Sequence, residues 1–303
     1  MNYAKELKNP IFKIVSLAAE KINSPAYIVG GWVRDLILST SKESYDIDFM
    51  CIGSGLELAK EVNKNIGKKS VLKIYKNFGT AMLKINNETY EFVGSRKESY
   101  RSNSRKPIIE NGTLEDDQNR RDFTINAMSI NLNRDHYGEL IDPFNGREDL
   151  IKKIIRTPLC PKKTYSDDPL RMMRAIRFAS QLNFKIENKS YYEIKKNVKR
   201  LSIISQERIT EELNKIILSK VPSVGFKMLF ETKLLHQFFP EMVNLHGVEF
   251  KGKDGHKDNF YHTIKVLDNI SQETENLWLR WSALLHDIGK PKTKRYEKGH
   301  GWT

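Results

Sequence analysis

Two rhythms divide the chain. Up to about position 146, apolar residues fall in short runs broken by glycines; beyond it they return every three or four positions. Leu7, Ile11, Ile14, Val15 and Ala18 recur at helical spacing and predict a helix within the first 25 residues. Tyr27-Ile28-Val29 predicts a short buried strand that ends at Gly30-Gly31, and 32–38 a helix with Val33, Leu36 and Ile37 turned inward. Residues 45–52 read as a strand, 56–65 as a helix, and 69–76, 80–85 and 89–93 as further strands. From 94 to 119 the pattern lapses into polar, charged, turn-rich sequence, which reads as a mobile loop. Asp142-Pro143-Phe144-Asn145-Gly146 is a turn cluster. Past it, 169–182, 188–198, 205–219, 223–232, 260–270 and 276–286 all read as helices. The expected fold is α+β: an α/β head over 1–146, an all-helical neck and body over 147–240, and a further helical region over 241–303.

At 303 residues the chain exceeds what one core usually supports, which agrees with several domains. Its 39% hydrophobic and 29% charged residues fit a folded chain rather than a disordered one. No apolar run approaches the ~20 residues of a membrane span, and the N-terminus lacks a signal-peptide core. Two cysteines, Cys51 and Cys160, stand outside any CxxC spacing. That argues against a disulfide framework and a thiolate zinc site, and for a reducing cytoplasm. The net charge of +13 changes the picture more. Residues 147–233 hold 20 Lys and Arg against 10 Asp and Glu, so one stretch carries +10 of the excess. A regional patch of this sign fits a polyanion such as RNA. Nothing in the sequence sets an oligomeric state.

The sharpest chemistry lies in Ser44-Tyr45-Asp46-Ile47-Asp48-Phe49-Met50. On a strand, Asp46 and Asp48 share one face while Ile47 and Phe49 enter a core. Paired carboxylates repel, and a divalent cation relieves that cost; hard oxygen donors suit Mg²⁺ bridging phosphates. An amphipathic edge strand with a solvated acidic face would look the same. The preceding Gly30-Gly31 turn, opening a helix that carries Arg34, sharpens the reading. Glycines let backbone approach phosphate, and Arg34 could reach a triphosphate.

GGWVRD followed by YDIDF resembles the polymerase-beta-like head of class II tRNA nucleotidyltransferases and bacterial poly(A) polymerases. The resemblance assigns the catalytic magnesium to Asp46 and Asp48; Glu91 is a candidate third strand acid, or an exposed strand glutamate. Arg120-Arg121-Asp122-Phe123-Thr124-Ile125-Asn126-Ala127 is similar to the family's RRDFTxNA. That implies nucleotide contacts by Arg121 and Asp122, with Asn126 near the sugar; the plainer reading is a helix start with surface charges.

In Ser166-Asp167-Asp168-Pro169-Leu170-Arg171, Asp168 reads as a helix N-cap before Pro169. Asp168 and Arg171 are also neighbours on a helix face. A carboxylate beside a guanidinium complements the edge that cytosine and adenine share, an amine donor next to a ring-nitrogen acceptor. The motif resembles the family's base-reading EDxxR, with Asp167 where glutamate is usual. Arg174 and Arg177 follow at three-residue steps, and matching family positions contact nucleotide.

Further on, His262 and His286-Asp287-Ile288-Gly289-Lys290 resemble the HD metal-dependent phosphohydrolases. His262, His286 and Asp287 are candidate ligands for a second divalent metal. The superfamily's further ligands are not matched before Thr303, with His256 and His300 as spare histidines, so the region reads as a partial HD domain. The resemblance as a whole implies Mg²⁺-dependent addition of C, C and A to the tRNA 3′ end from CTP and ATP, the basic body holding the acceptor stem. Poly(A)-adding, A-only and CC-only enzymes are sister readings. The long polar segment 94–119 argues against CC-only, whose members tend to lack a loop there. An HD phosphohydrolase with a vestigial RNA-binding head is the reading from another class.

Overall fold

The computed structural model describes residues 1–39, 46–67, 70–99, 108–247, 250–251, 254–255, 258–297 and 301–302. Residues 100–107 of the expected loop, and His256 and His300, lie outside the described residues. The chain falls into two compact units, one running to Cys160 and one from Pro161 onward. Helix α5 (Gly146–Lys152) and strand β10 (Ile154–Ile155), which follow the 142–146 turn cluster, stay with the first unit.

The first unit opens with α1 (Pro10–Lys21). The helix expected within the first 25 residues starts only here, because proline has no N–H to donate inside a helix and suits its first position. The Asn9 side chain accepts from the Ile11 N–H at 3.0 Å and caps it. Then come β1 (Ala26–Val29), α2 (Gly31–Ile37), β2 (Asp46–Cys51), α3 (Gly55–Ile66), β3 (Ser70–Tyr75), β4 (Thr80–Ile85) and β5 (Glu88–Gly94). Segment 94–119 departs from the expected loop in its described parts. Strand β6 (Arg96–Ser99) pairs antiparallel with β7 (Ile108–Asn111), and α4 (Leu114–Asn119) follows. Thr113 and Asp116 form a capping box at α4: Asp116 N–H donates to Thr113 Oγ1 at 3.1 Å and Thr113 N–H to Asp116 Oδ2 at 2.9 Å. Strands β8 (Ser129–Asn131) and β9 (Leu140–Ile141) complete a seven-stranded sheet ordered β3-β4-β5-β2-β1-β8-β9, in which β2 and β5 run parallel.

Strand alternation gives this sheet two unlike faces. Ile28, Ile47, Phe49, Tyr90 and Phe92 are buried together with Phe12 of α1 and Leu58 of α3. Phe49 stacks on Phe92 at 5.2 Å and meets Phe12 edge-on at 6.1 Å. The other face carries Asp46, Asp48 and Glu91, beside a small apolar cluster of Tyr27, Val29 and Met50.

The second unit is helical: α6 (Pro161–Asp167), α7 (Leu170–Leu182), α8 (Asn188–Asn197), α9 (Gln206–Ile217), α10 (Pro222–Glu231), α11 (Leu235–Phe238), α12 (Pro240–Val243), α13 (Asn259–Glu273) and α14 (Leu277–Leu285). Helix α10 crosses α9 closely; a Cβ on Gly225 would stand 2.5 Å from Ile216 Cγ2. Arg280 of α14 is buried and entirely satisfied by backbone. Its guanidinium donates to the carbonyls of Ile217 (2.8 Å), Ser219 (2.9 Å), Ser271 (3.1 Å) and Thr274 (2.8 Å). These are carbonyls that helix C-termini leave without internal partners. Arg280→Met should therefore lower stability by about 2–4 kcal/mol, the cost of stranding several buried acceptors. Urea denaturation followed by circular dichroism reads this directly, and a midpoint equal to wild type would show that water replaces the guanidinium.

Candidate active site

Three acidic strand residues sit on one sheet face in fixed register. In the parallel β2–β5 pair, Asp48 is opposite Glu91 and Asp46 opposite Thr89. Glu91, the candidate third acid, thus stands directly beside Asp48 and is exposed. Asp48 pays for the company: burial first, then Glu91, Asp46 and Asp117, push its carboxyl from the usual 3.8 up to about 6, against the pull of Arg121. The glycine turn abuts this carboxylate. Gly30 has φ +79°, and a Cβ there would lie 3.0 Å from Asp48 Oδ2 and 3.4 Å from Arg121 Nη1. Glycine is therefore required twice, by the left-handed backbone and by the close approach.

Arg121 reaches this point because an acid unremarked in the sequence holds it. Asp117 of α4 is fully buried. Its Oδ2 accepts Arg121 Nε at 3.0 Å and Nη2 at 2.8 Å, while its Oδ1 accepts from Arg120. Arg120 in turn donates to Glu98 Oε1 at 3.3 Å, and Arg96 lies 3.0 Å from the same oxygen. Burial alone would raise the Asp117 pKa, but the two arginines outweigh it and hold it below its usual value. Spacings of three and four residues from Asp117, across the end of α4, were the available signal.

The remaining motif residues form a second, buried network. Arg34 donates to Asp35 Oδ1 (Nε, 2.8 Å) and to Asn126 Oδ1 (Nη1, 2.9 Å). Asn126 Nδ2 donates to Asp122 Oδ1 at 3.1 Å, which also accepts the Phe123 N–H at 2.8 Å. Arg34, expected to reach outward to phosphate, is buried here and links α2 to the 121–126 motif. Behind it, Thr124 Oγ1 donates to Asp149 Oδ2 at 2.7 Å.

In the helical unit the N-cap of α7 is Pro169 and not the expected Asp168, which stands one residue earlier; its Oδ1 still accepts the Leu170 N–H at 3.2 Å. Arg171 is the second residue of α7 and is buried. Burial raises the pKa of the adjacent Asp167. Arg177, expected at the nucleotide, is committed to packing: Nε donates to Glu212 Oε2 of α9 at 2.5 Å, Nη1 to Gln181 Oε1 at 2.9 Å, and the guanidinium lies 3.9 Å over the Phe178 ring. Arg174 and Lys215 approach the same Glu212 at 3.9 and 3.4 Å. Glu212 lies on the helix expected over 205–219 and carries no local signal that sets it apart.

His262, His286 and Asp287 do converge, their ligand atoms lying within 4.8 Å of one another. His286 Nδ1 faces the Ala283 carbonyl at 2.7 Å, which leaves Nε2, 3.2 Å from Asp287 Oδ2, as the ligand atom. Lys290 Nζ also reaches Asp287 Oδ2 at 2.8 Å, a cation already where a metal would bind.

An acid-lined sheet face, a glycine turn and an arginine-bearing loop, followed by a basic helical unit, define a class of protein. Family models agree with each part in turn. Residues 26–156 match "Poly A polymerase head domain", 183–245 match "Probable RNA and SrmB-binding site of polymerase A", and 259–301 match "HD domain". Among curated relatives, an A-adding tRNA nucleotidyltransferase of Aquifex aeolicus is 42% identical over 64% of this chain and 23% of its own length. A CCA-adding enzyme of Enterococcus faecalis is 36% identical over 93% of this chain and 64% of its own. A solved tRNA nucleotidyltransferase, complexed with a primer tRNA and an ATP analogue, superposes with TM-score 0.70 at 30% identity, covering 90% of this chain and 75% of that one. The chain belongs to the tRNA nucleotidyltransferase and poly(A) polymerase family. It spans less than two thirds of the length of the curated relatives it matches.

Proposed function

We propose that this chain completes the 3′ end of tRNA, adding C, C and A from CTP and ATP with release of pyrophosphate. The observation that carries the reading is the meeting of Gly30, Asp48 and Arg121 at one point of the acidic face. A carboxylate set, a place where backbone can approach phosphate, and a guanidinium aimed at it are what phosphoryl transfer needs. The relatives, named as CCA- and A-adding enzymes, support the same reading.

The donor set fits magnesium. Asp46, Asp48 and Glu91 offer hard oxygens on one side; burial first, and then the neighbouring Glu91, make ionised Asp48 costly, a cost that a bound cation would relieve. When bound there, Mg²⁺ would lower the charge on the phosphoryl oxygens and favour ionisation of the attacking hydroxyl. The protein's own groups do the rest. Arg121, braced by Asp117, stabilises negative charge on the triphosphate beside Gly30. Arg34, Asn126 and Asp122 fix the loop that carries Arg121. Asp168 and Arg171 read the shared amine-and-acceptor edge of cytosine and adenine, which uracil and guanine present reversed. Arg174 lies on the same helix as a further nucleotide contact. No helix among the described residues is long and apolar enough to cross a membrane. tRNA maturation in the cytoplasm is the setting this reading implies.

A tRNA lacking its last three nucleotides, incubated with Mg²⁺ and CTP, ATP or both, tests the proposal at single-nucleotide resolution. Two residues from CTP and a third only with ATP are expected. A single A added only to an end already bearing CC would point to the A-adding activity of the Aquifex relative. No extension in any mixture would refute the proposal.

A further inference from the structure

The acidic face of the head sheet continues beyond Glu91, and its character changes as it goes. Paired residues in a sheet share a face. Asp48 pairs with Glu91, Glu91 with Met82, and Met82 with Lys73. One row over, Asp46 pairs with Thr89, Thr89 with Lys84, and Lys84 with Val71. On the other side, Val93 pairs with Thr80 and Thr80 with Tyr75. A single surface thus runs from the carboxylates on β2 and β5 to two lysines and a tyrosine on β4 and β3. Lys73 and Lys84 are exposed, Tyr75 is 40% exposed, and neither lysine makes an ion pair among the described residues. At about 4.8 Å per strand, Lys84 lies roughly 10 Å and Lys73 roughly 14 Å from β2.

Geometry says what belongs there. In-line displacement places the attacking and leaving oxygens on opposite sides of the phosphorus. Gly30 and Arg121 border Asp48 from the β1 flank, and the proposed function puts the triphosphate on that side. The attacking strand must then arrive from the β5 flank, over β4 and β3. We propose that this face is the track for the single-stranded 3′ end of the RNA. Lys84 and Lys73 meet its terminal phosphates, and Tyr75 offers a ring to a base, the pairing of cation and aromatic that single strands favour. Lysines on an edge strand also deter aggregation, which would account for Lys73 on β3. It does not account for Lys84, because β4 is flanked on both sides and has no edge to protect.

The inference rests on the proposed function for its direction, but its test does not need turnover. Fluorescent RNA minihelices with either a blunt end or a three-nucleotide single-stranded 3′ tail are titrated against the full chain and against a Lys73→Ala/Lys84→Ala variant. The wild type should bind the tailed RNA more tightly. The double substitution should weaken tailed binding at least tenfold, leave blunt binding within twofold, and reduce the salt slope for the tailed RNA by about 1.4, since each single-strand contact contributes about 0.7. The KM for CTP should stay the same, and Lys73→Arg/Lys84→Arg should keep the tail preference. Equal effects on both RNAs, no effect on either, or a parallel rise in the CTP KM would overturn the track. Loss of tail preference in a chain whose wild type extends no tRNA would uphold the track and overturn the polymerising activity alone.

Discussion

Asp48→Asn should abolish nucleotide addition and, without metal, make the head more stable at pH 7. The two effects have one cause. Asp48 is held on a crowded acidic face where burial, Glu91 and Asp46 raise its pKa to about 6. Below about pH 4 the group is protonated whether folded or not, and no penalty arises. Between there and pH 6 the unfolded chain sheds its proton while the folded one keeps it, so stability falls as pH rises; above 6 the penalty is complete. Two pH units correspond to about 3 kcal/mol, which the partial exposure of the carboxylate trims to about 2. An amide of the same shape escapes that penalty but cannot hold a divalent cation. Activity should drop at least about a thousandfold, roughly 4 kcal/mol of transition-state stabilisation. In EDTA at pH 7 the variant's melting midpoint should rise by several degrees, the gain fading as pH is lowered towards 4. Added Mg²⁺ should raise the midpoint of wild type only. Equal melting of the two proteins at pH 7, or an active variant, would remove Asp48 from this role.

Asp117 should be the costliest single loss in the head. Asp117→Ala leaves Arg120 and Arg121 without the buried carboxylate that orients both, and breaking such a cluster from one side costs about 3–5 kcal/mol. Asp117→Asn, which keeps the shape, should fold but let Arg121 swing away from Gly30 and Asp48. The KM for nucleotide should rise and kcat should fall, together about a hundredfold, while tRNA affinity holds. Because the folded Asp117 has a pKa below its usual 3.8, its contribution is fully present above about pH 4 and is lost only below it, as pH falls through the lowered folded value. An Asn variant with wild-type kinetics would mean that Arg121 is positioned by something else.

Asp48 and Asp117 also mark where the sequence speaks and where it stops. Asp46 and Asp48 were legible because strand period and a flanking glycine turn are local signals. The helices of the second unit were legible because apolar spacing repeats over many turns. Glu91 was visible only as a loose candidate, since its place beside Asp48 depends on the β2–β5 register, a pairing between distant segments. Asp117 and Glu212 were missed for a related reason. Each is one charged residue among many on a helix, and what distinguishes it is the set of arginines that folding brings around it. Strands β6 and β7 escaped because a charged hairpin has no apolar alternation to betray it. Arg34 and Arg177 carried the right charge for phosphate, but their burial against Asn126 and Glu212 could be read only from the fold.

The order of strands in the head sheet has a kinetic meaning too. Strand β1, next to the catalytic strand, pairs on its far side with β8, where Tyr27 meets Asn131. On a ribosome, roughly 80 residues must be made after β2 before β8 exists, which at about 5–20 residues per second takes several seconds. Through that interval β1 presents an open edge of apolar residues, and the loop bearing Arg121 is itself made only at the end of it. The centre is thus assembled late, from contacts of high sequence separation that close slowly. A nascent chain is exposed to misassociation for as long as it lacks a site.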